Sequence, residues 1–432
     1  MRYYSTNRQA AAVDFKTATI QGQAPDKGLY FPSRIPAADK DILLHPEQYS
    51  REEIAFRVIK PYTGDSIPND KLYEIVQETV NFPMPLVALT EDIYTLELFH
   101  GPTLAFKDVG ARFMSRCLGY FVQDREQPVT VLVATSGDTG GAVANGFLGV
   151  EGVEVVILYP SGKVSPVQEQ QLAALGQNVH ALEVDGSFDD CQQMVKQAFV
   201  DGELAQQLFL TSANSINVAR WLPQQFYYFF AYQQWKDKDH PPVVSVPSGN
   251  FGNICAGILA HQSGLPIRHF IAACNANDVV NGYLQTGRLE ARPSVPTWSN
   301  AMDVGNPSNF VRILEIFDQQ YPAVKENLSS SSISDRETEE TIRRVYEHNG
   351  YILDPHGAVG FLALERWLDQ HGGGAGIFLE TAHPVKFPEA VEKAVGKTIT
   401  LPKSLNDLMQ KEKATVRIQA GYAQLREYLM QL

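Results

Sequence analysis

The chain has 432 residues, 44% of them hydrophobic and 20% charged, with a formal net charge of −13; it can bury a large core in two or three domains, or two lobes across a cleft, without covalent staples. The acidic balance excludes nucleic acid and anionic membranes as expected partners, but helix N-termini can still build pockets for small anions. The four cysteines, Cys117, Cys191, Cys255 and Cys274, are scattered without a CxxC pair, which argues against a disulfide framework or a zinc site; with no basic-then-apolar leader and no bilayer-length apolar run, a cytoplasmic protein is expected.

In chain order, residues 1–92 read as an N-terminal segment packed on the body, with helical stretches at Arg51–Val58 and Asp70–Val80. From residue 128 the pattern becomes apolar strand, polar loop, helix, repeated. Val129–Ala134 is a predicted strand, followed by the loop Thr135–Gly141 and a helix from Ala142. A strand at Val153–Tyr159, a loop at Pro160–Ser165, a helix at Pro166–Leu175 and a strand at Asn178–Val184 come next. Pro242–Val246, Ile267–Ala273, Gly350–Leu353 and Gly376–Leu379 extend the strand series. Near-continuous apolar strands alternating with helices predict an α/β protein with parallel sheets covered on both faces. The serines of Ser329–Ser334 suggest a surface loop, and Thr415–Leu432 a docking helix.

Open α/β sheets bind ligands beyond the C-terminal ends of their strands, which directs attention to the loops there. Ser248-Gly-Asn-Phe-Gly-Asn253 follows one such strand and opens an apolar helix at Ile254. Its glycines allow close backbone approach, and amides at a helix N-terminus suit a phosphate dianion; taken alone, it reads equally well as an ordinary tight turn. It matches neither GxGxxG nor a P-loop, which leaves a phosphate without a nucleotide. Thr135-Ser-Gly-Asp-Thr-Gly-Gly141 offers hydroxyls and amides at another helix start, with Asp138 either an N-cap or the partner of a protonated group.

The third stretch is His100-Gly-Pro-Thr-Leu-Ala-Phe-Lys-Asp108. Lys107 lies beside Phe106, Ala105 and Leu104, and desolvation there would free its amine to attack an aldehyde; in isolation, a lone lysine is more often a solvated surface residue. A phosphate loop together with a Schiff-base lysine points to pyridoxal phosphate, whose aldehyde and phosphate need those two partners. His356 in Leu353-Asp-Pro-His-Gly357 and His383 in Glu380-Thr-Ala-His-Pro384 are acid–base candidates or backbone hydrogen-bonding groups, without metal-site spacing.

These stretches carry a resemblance. LELFHGPTLAFKD (96–108), ATSGDTGG (134–141), LYPSGKVSPVQEQQ (158–171), NSIN (214–217), VSVPSGNFGN (244–253), NAMDVGNPSNF (300–310) and ETAHPVKF (380–387), together with Gly28-Leu-Tyr-Phe-Pro32, resemble the bacterial and fungal-type threonine synthases along nearly the whole chain. The resemblance implies the fold-type II architecture of pyridoxal-phosphate enzymes, related to tryptophan synthase β subunits, with a smaller α/β domain at 93–212 carrying Lys107 and a larger one at 213–432. It implies a lyase that turns O-phospho-L-homoserine and water into L-threonine and phosphate. By motif, Lys107 holds the cofactor as a Schiff base and then serves as base; Ser248, Gly249, Asn250, Phe251, Gly252 and Asn253 hold the cofactor phosphate, and Thr381 meets the pyridine nitrogen. Ser136, Asp138 and Thr139 fall toward the amino-acid end of the substrate, and Lys163, Ser165, Asn214 and Arg220 toward its phosphate. Gly357 departs from the bulkier small residue common at its place in the resemblance.

A monomer is expected over a homodimer. The rival readings are an eliminating relative such as a threonine dehydratase, against which SPVQE and NAMDVGNPSNF argue, and a silent binding protein, against which Lys107 and the intact phosphate loop argue.

Overall fold

In the computed structural model, which describes residues 1–123 and 125–432, two main sheets carry the architecture. The five-stranded sheet runs in the order Thr415–Gln419, Val179–Asp185, Val153–Pro160, Val129–Ala134, Phe209–Thr211, with every pair parallel. All residues of Val129–Ala134 are buried, as expected where a β-branched apolar run is covered by helices on both faces. The six-stranded sheet has the order Leu328–Ser332, His269–Cys274, Val243–Pro247, Gly376–Glu380, Ile93–Glu97, Leu86–Ala88; only the last pair is antiparallel. A hairpin-like pair, Tyr3–Ser5 with Tyr30–Pro32, lies in the N-terminal segment.

That segment is part of the body. Phe15 and Tyr62 belong to the same core cluster as Phe113, Trp221, Phe226 and Val246. The fully buried Arg312 seals the junction: it donates to Tyr30 O, Ser215 O, Ile216 O and Asn309 Oδ1, and its guanidinium lies 4.4 Å from the Trp221 ring centroid. A buried cation without a carboxylate is tolerated because carbonyl dipoles take every face of the fork.

Several expectations are corrected. Gly350–Leu353 is no strand: Gly350, at φ 67°, closes the helix Asp335–Asn349, and Asp354 caps the next helix, Pro355–Gln370. The short apolar run is a helix connection bounded by a left-handed glycine and a capping aspartate. The serines predicted as a loop form Leu328–Ser332, a parallel edge strand in register with Phe270–Cys274. An edge accommodates polar side chains, and Ser330 Oγ donates to Ala272 O at 3.0 Å. Only Tyr422–Leu429 of the expected terminal helix is helical; Thr415–Gln419, with its period-two alternation, pairs with Val179–Asp185. The sheets also cut across the contiguous division at 93–212 and 213–432, since Ile93–Glu97 joins the six-stranded sheet and Thr415–Gln419 the five-stranded one. The cysteines are free and buried, and no helix among the described residues is long and apolar enough to cross a membrane.

Candidate active site

Lys107 begins the helix Lys107–Val122 at the end of a loop zipped onto the chain leaving the strand Gly376–Glu380. Leu98 N donates to Glu380 O, Phe106 N to Thr381 O, and His383 N to Leu104 O, each within 2.9–3.0 Å. Backbone bonds on both sides fix where Lys107 starts, and they hold Thr381 beside it. The Asp108 carboxylate accepts from Thr103 N and Oγ1 and pins the loop from inside.

Lys107 Nζ lies 3.7 Å from Asp138 Oδ2. Burial pushes the Lys107 ammonium below its ordinary value; Asp138 opposes this, while Lys386 and Arg220 add to it. Asp138 is also buried and is held well below the usual carboxylate range by Lys386 and Lys107, against the pull of burial. Lys386 Nζ donates to Asp138 Oδ1 at 2.7 Å and to Thr103 O at 2.8 Å, and Gln168 Nε2 donates to Asp138 Oδ1 at 3.0 Å. Asp138 is therefore the hydrogen-bonded partner of Lys386 and not an N-cap. Gly137 holds the N-cap position of the helix Asp138–Phe147, and Thr135, two residues before it, supplies the side-chain acceptor: its Oγ1 accepts from Gly137 N and Gly140 N. Gly137 sits at φ 142°, and a Cβ on it would come 2.6 Å from the Gln168 side chain, so glycine is what lets Gln168 reach Asp138.

The Ser248–Asn253 loop has the features of an anion cradle. Phe251 takes a left-handed conformation, φ 61°, and no side chain caps the helix Gly252–Gln262. A left-handed phenylalanine costs about 1 kcal/mol, and such strain is held where the surroundings over-determine it. The Tyr227 and Tyr228 hydroxyls both donate to Asn253 Oδ1, at 2.8 and 2.7 Å, which orients Nδ2 as a buried donor with no partner among the described residues. An orphaned buried donor beside an uncapped helix start fits a phosphate. Ser248 Oγ is committed to Val246 O, while Asn250 accepts from Ser308 and its carbonyl from Asn309 N. Gly249 has no room for a side chain: a Cβ would lie 2.7 Å from Met302 Cα.

Behind the cradle lies a buried acid–histidine network that sequence reading did not find. His356 Nε2 accepts from Ala301 N at 3.2 Å, and its Nδ1 donates to Asp354 Oδ1 at 2.5 Å. Asp354 N donates to Glu380 Oε1 at 2.6 Å, and Asp354 Oδ2 and Glu380 Oε2 are buried without partners among the described residues. Burial first, and Asp354 second, push Glu380 well above the ordinary 4.5, so it folds as the neutral acid. A group raised on folding contributes stability that is fully present below its unfolded value and is lost as pH rises toward its folded value. Glu380→Gln is accordingly expected to remove this loss: its denaturant midpoint should gain on the unaltered protein as the pH rises above the ordinary glutamate value. Parallel profiles would mean that Glu380 is not buried as the acid. His383, lowered to about 4 by burial and then by His100, accepts from Val385 N and caps a short helical turn. Both histidines thus serve the backbone.

The predicted site residues divide accordingly. Lys107, Asp138 and Arg220 converge, and Asn253, Gly249 and Gly252 line the cradle, with Gly252 against Ser215 of the NSIN stretch. Arg220 is buried; Nη1 donates to Ala213 O at 2.7 Å, and Nε has no partner among the described residues. Asn214 is half-buried next to that carbonyl, and the half-buried Ser136 and Thr139 flank Asp138. Ser165 instead forms a capping box with Gln168 for the helix Pro166–Ala173. Lys163 is exposed, and its charge acts on Asp190 and Cys191. Lys386 and Gln168 went unassigned in the sequence, although VKF and SPVQE contain them; among the described residues no cluster of metal-ligating groups occurs.

Comparison with known proteins agrees with this geometry. Residues 80–378 match the family described as "Pyridoxal-phosphate dependent enzyme", residues 2–80 "Threonine synthase N terminus" and residues 357–429 "Threonine synthase, C-terminal". The threonine synthase of Serratia marcescens is 44% identical over 100% of both chains. The crystal structure of threonine synthase from Escherichia coli superposes with a TM-score of 0.92 at 42% identity, covering 100% of both chains. That of PLP-bound threonine synthase from Brucella melitensis gives 0.93 at 37% identity over 100% of this chain and 99% of that one. The chain therefore belongs to the threonine synthases, pyridoxal-phosphate-dependent enzymes of fold type II.

Proposed function

We propose that the chain converts O-phospho-L-homoserine and water to L-threonine and phosphate, with Lys107 as cofactor anchor and base. The observation that carries this is the half-buried Lys107 amine, its ammonium lowered by its surroundings and set beside a carboxylate already engaged by Lys386. Gly249 to Asn253 hold the cofactor phosphate on helix amides and Asn253 Nδ2, and Thr381 offers the pyridine nitrogen a hydroxyl that need not protonate it. When bound, the cofactor supplies an electron sink that acidifies the hydrogens of the amino acid joined to it.

Lys107 Nζ would hold the cofactor and, as a free amine, would take the α-proton of the substrate. The Ser136 and Thr139 hydroxyls, free of protein partners among the described residues, bind the amino-acid end. Arg220, buried with an unpaired Nε, and Asn214 receive the phosphate end. A desolvated guanidinium favours a dianion strongly in such a dry setting, which ties phosphate departure to a closed site and late entry of water.

Product analysis tests the reading. O-phospho-L-homoserine is expected to give threonine and phosphate in equal amounts; 2-oxobutyrate or pyruvate without threonine would make the chain an eliminating relative.

A further inference from the structure

Two lysines face one carboxylate in this site, and only one of them is hydrogen-bonded to it. Lys386, fully buried, holds Asp138 Oδ1 at 2.7 Å and Thr103 O at 2.8 Å, where Gln171 Nε2 also donates at 3.0 Å. Lys107, 15% exposed, is left 3.7 Å from Oδ2, beyond hydrogen-bond distance. We propose that Lys386 is a positioning residue that engages the Asp138 charge, so that Lys107 is kept as the neutral amine needed for cofactor attachment and for proton abstraction. The proposal rests on the reading of Lys107 as the anchor.

The argument is one of competition for a single negative charge. An isolated Asp138 would draw a proton onto Lys107 and form an ion pair with it, which would silence the nucleophile. With Lys386 fixed by two acceptors and unable to reach water, the Asp138–Lys386 pair is neutral as a unit, and a proton on Lys107 would add an uncompensated charge. The surrounding groups reinforce that result. The helix Asp138–Phe147 brings Asp138, the helix Pro166–Ala173 brings only the uncharged Gln168 and Gln171, and the helix Val218–Trp221 brings the positive Arg220. The helix of Lys107 itself brings Asp108, tied to Thr103, and the Pro384–Lys386 turn brings Lys386 with His383 before it. Burial first, with Lys386 and Arg220 added to it, holds the Lys107 ammonium below its ordinary value against the opposing pull of Asp138.

The test needs no substrate, so its result is read separately from the product assignment. The cofactor is removed from the full-length chain, pyridoxal phosphate is added across a pH series, and borohydride reduction with peptide mass measurement gives the rate of attachment to Lys107. Lys386→Gln keeps a donor for Thr103 O but removes the charge; it should move the midpoint of the rate profile up by about one pH unit and slow attachment near neutrality about tenfold. Lys386→Arg should keep the midpoint close to that of the unaltered protein, and adding Asp138→Asn to Lys386→Gln should bring it back down. Lys386→Met gives the same reading if the glutamine variant does not fold. A merely structural role would lower the fraction of protein able to attach without moving the midpoint, and that result would overturn the proposal. No attachment at Lys107 at any pH in the unaltered chain would overturn the anchor reading beneath it.

Discussion

Lys107→Ala is expected to lower threonine formation at least about a thousandfold, because a positioned general base alone contributes roughly 10²–10⁴ and the covalent anchor is lost with it. Borohydride should then fix no cofactor to the chain. The fold should survive: the loop holding residue 107 is set by backbone bonds from Leu98, Phe106 and His383 and by Asp108, none of which uses the lysine side chain. Asp138 keeps Lys386 and Gln168 as partners, so no buried charge is stranded. The denaturant midpoint is therefore expected to shift by no more than about 1 kcal/mol in stability. Undiminished activity in a folded Lys107→Ala chain would refute the assignment of anchor and base together.

The second large effect is on the fold. Gly357 lies in the first turn of the helix Pro355–Gln370, and a Cβ placed on it would come 1.6 Å from Glu380 Oε2 and 2.5 Å from Glu380 Cδ. Glu380 cannot step aside, since it is fully buried and its Oε1 accepts from Asp354 N. The helix cannot retreat either, because Ala358, Phe361 and Leu364 pack in the same core cluster as Phe378 on the neighbouring strand. Overpacking typically costs about 1–3 kcal/mol, and displacing a buried carboxyl adds to that, so Gly357→Ala should destabilise by at least about 3 kcal/mol. Pairing it with Glu380→Ala removes the obstruction and should recover a substantial part of the loss. A Gly357→Ala chain as stable as the unaltered protein would show that the Glu380 carboxyl is not where the structure places it. The bulkier small residue common at this place in the resemblance is thus excluded here by Glu380, at the end of the strand that follows this helix.

How much was legible in the sequence follows the range of the interaction involved. Val129–Ala134, Val153–Pro160, Val243–Pro247 and Gly376–Glu380 were readable because a strand buried on both faces needs a continuous apolar run, which is a local property. Leu328–Ser332 was not, since its polar residues are strand only through pairing with His269–Cys274, and an edge relaxes the demand for apolar side chains. Thr415–Gln419 alternates with period two, but its partner lies more than two hundred residues earlier, beyond any local signal.

The site divides along the same line. Glycine loops at strand ends, a lysine in an apolar stretch and the run of family motifs can be read residue by residue, and they were sufficient for cofactor, fold class and reaction family. What they could not supply was who pairs with whom. Asp138 could be a cap or a partner until Thr135 took the capping bonds and Lys386, from the far end of the chain, took the carboxylate. The neutrality of Glu380 and the bare backbone at Gly357 are likewise set by burial against each other. Desolvation and charge competition depend on distances across space, so they come into being only when the two sheets and the loops at their strand ends are brought together.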